Sequence, residues 1–139
     1  MDNCIFCNII AQEIPSYTFY EDDLFLGFLD AFPGNRGHAL VVPKTHVADL
    51  FALNSQLVAA AMPVVQRVAK AVQQATGCTG VNIMQNNGID AGQSVFHYHV
   101  HVFPRYAGDG HRLHPAVMAS QPEATAMSQL TDTLKSLLA

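Results

Sequence analysis

The segment "GQSVFHYHVHVFPR", residues 92–105, holds His97, His99 and His101 at intervals of two. Successive side chains of a β-strand point to opposite faces of the sheet. The spacing therefore puts the three imidazoles on one face and Tyr98, Val100 and Val102 on the other. A helix would scatter the same histidines around its circumference. Valine, tyrosine and phenylalanine all favour a strand, so "VFHYHVHVFP" is expected to be the last central strand. Its apolar face is buried and its histidine face lines a site. Such a face suits a three-histidine metal centre, a histidine nucleophile flanked by helpers, or no chemistry at all. The segment alone leaves these open.

Working outward, "SYTFYED" and "LFLGFLD" predict two strands around a turn at Asp22-Asp23. The cluster "AFPGNRG" reads as a turn. "HALVVP" reads as a buried strand that stops at Pro43. "VNIMQN" predicts a further strand with Val81 and Ile83 on one face. Residues 55–75 predict a long helix, since Leu57, Ala61, Val64, Val65, Val68 and Val72 follow the helical period. Asn54 or Ser55 can cap its start and Gly77 its end. Pro63 predicts a kink or a later start. Ser120 and Glu123 form a capping-box pattern ahead of a last helix with Met127, Leu130, Leu134 and Leu137 as its apolar stripe. The expectation is class α+β: an antiparallel sheet of about five strands with one long and one or two shorter helices. Residues 1–139 make one domain, those beyond about 110 forming a C-terminal extension that ends in a helix.

With 139 residues, half of them hydrophobic and 13% charged, the chain is composed like a folded globular domain and unlike a disordered one. Net charge is −4 and the seven lysines and arginines are scattered, which argues against a nucleic-acid-binding face. No apolar run approaches the ~20 residues of a membrane span. The start, "MDNCIFCNII", lacks the basic segment, long apolar core and cleavage site of a secretory signal. A cytoplasmic protein with reduced cysteines is expected.

Cys4 and Cys7 form C-x-x-C. A redox motif of this kind follows a strand and opens a helix, and here no strand precedes it. Two thiolates can instead provide half of a four-ligand zinc site. His46 in "VPKTHV" lies just past a strand end, and His97 is the outermost of the three spaced histidines. Cys4, Cys7, His46 and His97 then complete a structural zinc site that pins the N-terminus to the sheet. Cys78 is left over as a buried or idle thiol.

"HYHVHVF" follows the histidine triad signature, in which histidines and hydrophobic residues alternate. With "CIFC", "EIP", "FLDAFPGNRGHALVVPKTH" and "QNNGIDAGQSVFHYHVHVFPR", the chain resembles the histidine triad (HIT) family of nucleotide hydrolases, notably its bacterial zinc-containing branch and purine nucleoside phosphoramidase-type members. The resemblance implies an α+β sheet that pairs across a homodimer. It also implies cleavage at the α-phosphorus of a purine nucleotide, either a nucleoside phosphoramidate or a dinucleoside polyphosphate. By position, His99 matches the nucleophile and His101 a phosphate contact that helps the leaving group. His97 and His38 match supporting imidazoles, and Asp30 the carboxylate that holds the ribose hydroxyls. Phe28 and Ile14 match the walls of the base pocket. Asn86, Gly92, Gln93 and Ser94 match phosphate-side contacts, with Ser94 also near the chemistry. Zinc on the four ligands is implied to be structural, and the reaction to need no cofactor.

The residues themselves agree with this chemistry. A histidine with its ordinary pKa near 6.5 is largely unprotonated at pH 7. Attack on phosphorus gives a nucleotidyl-imidazole and divides one displacement into two. The other ring nitrogen then needs an acceptor, which a backbone carbonyl can supply. Plainer readings exist for the helpers: His38 as a satisfied core histidine, Ile14 and Phe28 as core, Asp30 as a turn cap. Competing functions are a nucleotidyl transferase, which carries glutamine where this chain has His101, a nucleotide-binding or partner-binding module with incidental turnover, and a metal-dependent hydrolase using all three histidines. Arg105, His111 and His114 receive no role. The leaving group stays open among amine, sulfate, polyphosphate and a second nucleoside.

Overall fold

Apolar side chains on both faces of the strands give this chain a sheet with two different undersides, and the site lies on the smaller one. The computed structural model describes residues 3–110, 118 and 120–139. Strands β1 (Tyr17–Glu21), β2 (Phe25–Leu29), β3 (Ala39–Pro43), β4 (Gly80–Met84) and β5 (Val100–Arg105) form one sheet in the order β1-β2-β3-β5-β4. Every neighbouring pair is antiparallel. Three helices accompany it: α1 (Ile5–Ile10), α2 (Ser55–Thr76) and α3 (Ala124–Leu138), with a short 3₁₀ turn over Ile89–Ala91. Among the described residues no helix is long and apolar enough to cross a membrane.

Alternation sorts the strands. Phe25, Leu29, Ala39, Val41, Val100 and Val102 point to one face, where α2 and α3 cover them with Val65, Val68, Val72 and Leu134. Leu26, Phe28, Leu40 and Val42 point to the other face, where Phe6 of α1 packs on them. The helical face is the main core. The second face is only partly covered and leaves room for a cavity.

Several expectations are corrected. The last strand begins at Val100, not at Val95: residues 95–99 run alongside without ladder pairing. Pro43 explains the break. It has no N–H to donate, and its carbonyl accepts the Nε2–H of His97 at 2.8 Å instead of a strand amide. The Tyr98 N–H donates to the Val47 carbonyl at 2.7 Å. Faces still alternate through this stretch, because Tyr98 joins the helical core with Val100 and Val102. Helix α2 starts at Ser55 with Asn54 as its cap and contains Pro63, so no later start occurs. Its Asn54 Oδ1 accepts from the Leu57 N–H at 2.9 Å, and Gly77 closes it at φ +70°. The capping box at Ser120 does not form: α3 begins after Glu123, whose side chain makes no capping bond. Pro122 disfavours the helical region for Gln121 before it, so the helix cannot begin at that residue and starts beyond the proline. Leu137 is exposed, unlike Met127, Leu130 and Leu134.

One glycine is required by the fold near the site. Gly37 has φ +88°, and a Cβ there would sit 2.8 Å from Thr76 Cγ2. Only glycine lets the turn before β3 close against α2 and deliver His38 to the second face.

Candidate active site

The C-x-x-C sequence opens α1. Cys4 is its N-cap, with Sγ accepting from the Cys7 N–H at 3.4 Å. One helical turn places both sulfurs on the side that faces the end of β3. Here the Cys7 Sγ lies 3.2 Å from His46 Nδ1 and 3.6 Å from His97 Nδ1, and the Cys4 Sγ lies 3.4 Å from His97 Nδ1. The two imidazole Nδ1 atoms are 3.2 Å apart. All four ligand atoms fall within 4.8 Å of one another. Zn–N bonds of about 2.0–2.1 Å and Zn–S bonds of about 2.3 Å at tetrahedral angles require ligand separations of about 3.3–3.8 Å, so this donor set fits zinc. His97 is prepared for the task. Its Nε2–H is given to the Pro43 carbonyl, which leaves the Nδ1 lone pair facing the sulfurs. Burial and the neighbouring Cys4 thiol push Cys7 up to about 11, so binding a divalent cation here must release protons.

The other histidines stand beside this cluster. His99 donates Nδ1–H to the carbonyl of His97 at 2.7 Å, leaving Nε2 unprotonated. At the opposite end, the Gly34 N–H donates to His38 Nδ1 at 3.1 Å. His38 Nε2 must then carry the hydrogen, which it gives to His101 Nδ1 at 2.8 Å. His101 is left with its proton on Nε2. The His99 and His101 rings are 5.0 Å apart. Backbone groups at the two ends of the row thus select complementary tautomers: a free lone pair on His99 and an N–H donor on His101.

Burial keeps these rings neutral. Loss of solvation and the neighbouring imidazoles lower His38 to about 3 and His101 to about 4. Burial also lowers His99, against the opposing hydrogen bond to His97. The 3.8 Å approach of Asp30 Oδ2 to His38 Nδ1 is therefore no ion pair, since that nitrogen already accepts from Gly34 and holds no proton. Burial raises the Asp30 carboxyl, and the Phe32 N–H, donated to Oδ1 at 2.9 Å, opposes the rise.

A cavity of about 290 Å³ opens over the second face, bordered by Ile14, Phe28, Asp30, Ser94, His99 and His101. Six residues named from the sequence are therefore brought to one space. Asp30 both caps its turn through Oδ1 and borders the cavity. Gln93 is placed differently from a phosphate contact. Its Oε1 accepts from the Gly88 N–H at 2.7 Å and its Nε2 donates to the carbonyls of Ala48 and Val95, so its amide is spent on the loop. Gly92 turns that loop at φ +91° with Asn86 beside it, and neither borders the cavity. Arg105 is held by Asp109 through two bonds of 3.0 Å and by Asn82. Cys78 is buried. His111 and His114 lie outside the described residues. Reasoning from the sequence missed Phe6 and Ile9 of α1, which also wall the cavity. The position of Phe6 between the two cysteines of the C-x-x-C sequence was the available signal.

A five-stranded antiparallel sheet bearing a row of neutral histidines beside a Cys₂His₂ cluster defines a histidine triad protein. The HIT domain family matches residues 11–108, and the chain belongs to it. It is 46% identical over 110 residues to the protein named hit of Bacillus subtilis, covering 78% of this chain and 76% of that one. It is 42% identical over 103 residues to an adenosine 5′-monophosphoramidase of Schizosaccharomyces pombe, with 74% of each covered. The crystal structure of a zinc-bound histidine triad protein from Mycobacterium smegmatis superposes with a TM-score of 0.85 at 38% identity, over 99% of this chain and 94% of that one.

The lowered histidines set a pH dependence. In the unfolded chain His38 and His101 take up protons below about pH 6.5, whereas in the fold they do so only near 3 and 4. Between these values the unfolded state binds more protons, so stability rises with pH and is lost as pH falls from 6.5 toward 4. Thermal unfolding followed from pH 4 to 7 should show this slope, and His38→Asn should flatten it. Equal slopes in the two proteins would remove His38 from the account.

Proposed function

We propose that the protein is a hydrolase that cleaves purine nucleoside phosphoramidates, or dinucleoside polyphosphates, at the α-phosphorus through a nucleotidyl-His99 intermediate. The observation that carries this reading is the tautomer of His99: its Nδ1–H is held by the His97 carbonyl, so Nε2 is the free nucleophile. Membership of the family and its named phosphoramidase relative support the substrate class.

In the proposed complex the purine lies between Ile14 and Phe28. The ribose hydroxyls donate to Asp30 Oδ2, the oxygen that the Phe32 N–H leaves available. The α-phosphate sits before Ser94, His99 and His101. His99 Nε2 attacks phosphorus as the bond to the leaving nitrogen or oxygen breaks. The His101 Nε2–H donates a hydrogen bond to the developing charge, and the leaving group departs with a proton taken from solvent water. A water then attacks phosphorus and breaks its bond to His99 Nε2. One proton of that water returns to solvent, and the nucleoside monophosphate leaves with His99 restored. His38 keeps His101 in the donating tautomer. Gln93, Gly92 and Asn86 shape the loop that carries Ser94. Zinc bound by Cys4, Cys7, His46 and His97 supplies a cross-link between N-terminus and sheet, and the chemistry itself needs no cofactor. Zinc-binding thiols suit a reducing, cytoplasmic setting. A homodimer is part of the proposal, supported by the edge position of β4, the exposed Ile83 on it and the exposed Met62 of α2 beside it.

His99→Ala should abolish turnover of an adenosine phosphoramidate while leaving binding of adenosine 5′-monophosphate nearly intact, and acid quench of the wild type should trap a nucleotide on a histidine. Wild-type rates in that variant would sink the mechanism. For Asp30, losing one charge-assisted hydrogen bond costs about 1.5–3 kcal/mol, or roughly 10- to 150-fold. The wild type should therefore prefer ribose to 2′-deoxyribose substrates by that order, and Asp30→Asn should narrow the gap without altering the adenine-to-guanine ratio. Equal rates on both sugars would reduce Asp30 to a turn cap. For zinc, elemental analysis should find one atom per chain. Replacing both cysteines by serine should remove it and lower the melting temperature, because a structural metal contributes folding energy.

A further inference from the structure

Helix α1 has only six residues, Ile5–Ile10. An isolated helix of that length does not persist in water, so its position depends on what holds it. Two anchors are present on neighbouring residues. Cys4 and Cys7 sit against His46 and His97. Phe6, lying between them in sequence, is 6% exposed and packs on Leu26, Phe28, Leu40 and Val42.

The Phe6 ring joins two regions. It stands edge-to-face to Phe28 at 5.6 Å, to His97 at 5.8 Å and to His99 at 5.1 Å. One ring therefore touches the wall of the base pocket, a ligand of the metal cluster and the imidazole with the free nitrogen. His99 is tethered at Nδ1 by a single hydrogen bond. One such bond leaves a ring free to tilt about it. Among the described residues the aromatic rings that flank His99 are Phe6 and His101. Phe6 also borders the cavity, so the side chain that confines His99 also shapes the space beside it.

We propose that Phe6 is a positioning residue: carried on the helix that the Cys₂His₂ cluster clamps, it sets the orientation of His99 beside the cavity. The orientation of His99 does not depend on the nucleotide reading given above, whereas the affinity measured below rests on it. A residue that only filled core volume would be replaced by leucine with little consequence for His99.

The test compares wild type with Phe6→Leu, which retains apolar bulk and loses the ring, and uses Phe6→Ala as the larger truncation. Both are purified with zinc and their metal content is measured. The imidazole nitrogens of His99 are followed by NMR, and binding of adenosine 5′-monophosphate by calorimetry. Zinc-loaded Phe6→Leu should show His99 nitrogen shifts moved from a pure Nδ1–H form toward a mixture of tautomers. Its nucleotide affinity should fall roughly tenfold, equivalent to about 1.4 kcal/mol, with Phe6→Ala weaker again. Wild-type His99 shifts in zinc-loaded Phe6→Leu would overturn the proposal. If the shifts move but the wild type binds no nucleotide, the positioning role stands and the nucleotide reading fails.

Discussion

His97 is the joint on which the site depends. It is completely buried, and three of its polar groups point to three different parts of the molecule. Nε2–H goes to the Pro43 carbonyl, Nδ1 faces the two cysteines and His46, and the carbonyl accepts from His99. Burying so many polar groups is tolerable only when each has a partner. Satisfying them fixes the exit of β3, the seat of α1 and the tautomer of His99 in relation to one another. The strand ladder gives way for this purpose, since β3 and β5 stop pairing where His97 takes the Pro43 carbonyl.

Low polarity does the electrostatic work. Most groups beside the cavity are apolar or imidazoles, and burial is the first cause of the lowered affinity of each of His38, His97, His99 and His101 for protons. The row is ordered by fixed hydrogen-bond directions from Gly34 at one end and His97 at the other. Such preorganised donors and lone pairs need no rearrangement as charge develops. Asp30 is the acidic group that borders the cavity, and its turn bond to Phe32 fixes which oxygen remains available.

The two sheet faces divide the labour. Helices α2 and α3 seal one face with a continuous apolar layer. The other is covered by Phe6 with Cys4, Ile9, Ile10 and Val95, and the uncovered part is the cavity. The small cover leaves part of its face open, whereas the sealed face is held at the close packing of a protein interior. Helix α3 lies beyond the matched family region yet contributes Met127, Leu130 and Leu134 to the sealed face.

The sequence by itself determined what periodicity and residue chemistry can determine. The interval of two between His97, His99 and His101 placed them opposite Tyr98, Val100 and Val102, and that holds even where the ladder is absent, because extended backbone alternates with or without a neighbour. Donor chemistry was enough to gather Cys4, Cys7, His46 and His97. Only the tertiary structure decided which nitrogen of each imidazole is free, since the deciding partners are particular backbone groups of Gly34, Pro43 and His97, and residue type does not say which of several candidate groups takes each nitrogen. It also decided that Gln93 serves its own loop, that Pro122 shifts the start of α3, and that Phe6 touches His99. These outcomes depend on long-range packing and on competition among partners for each hydrogen bond. A local pattern records which groups a residue carries, and the fold settles which of the available partners takes them.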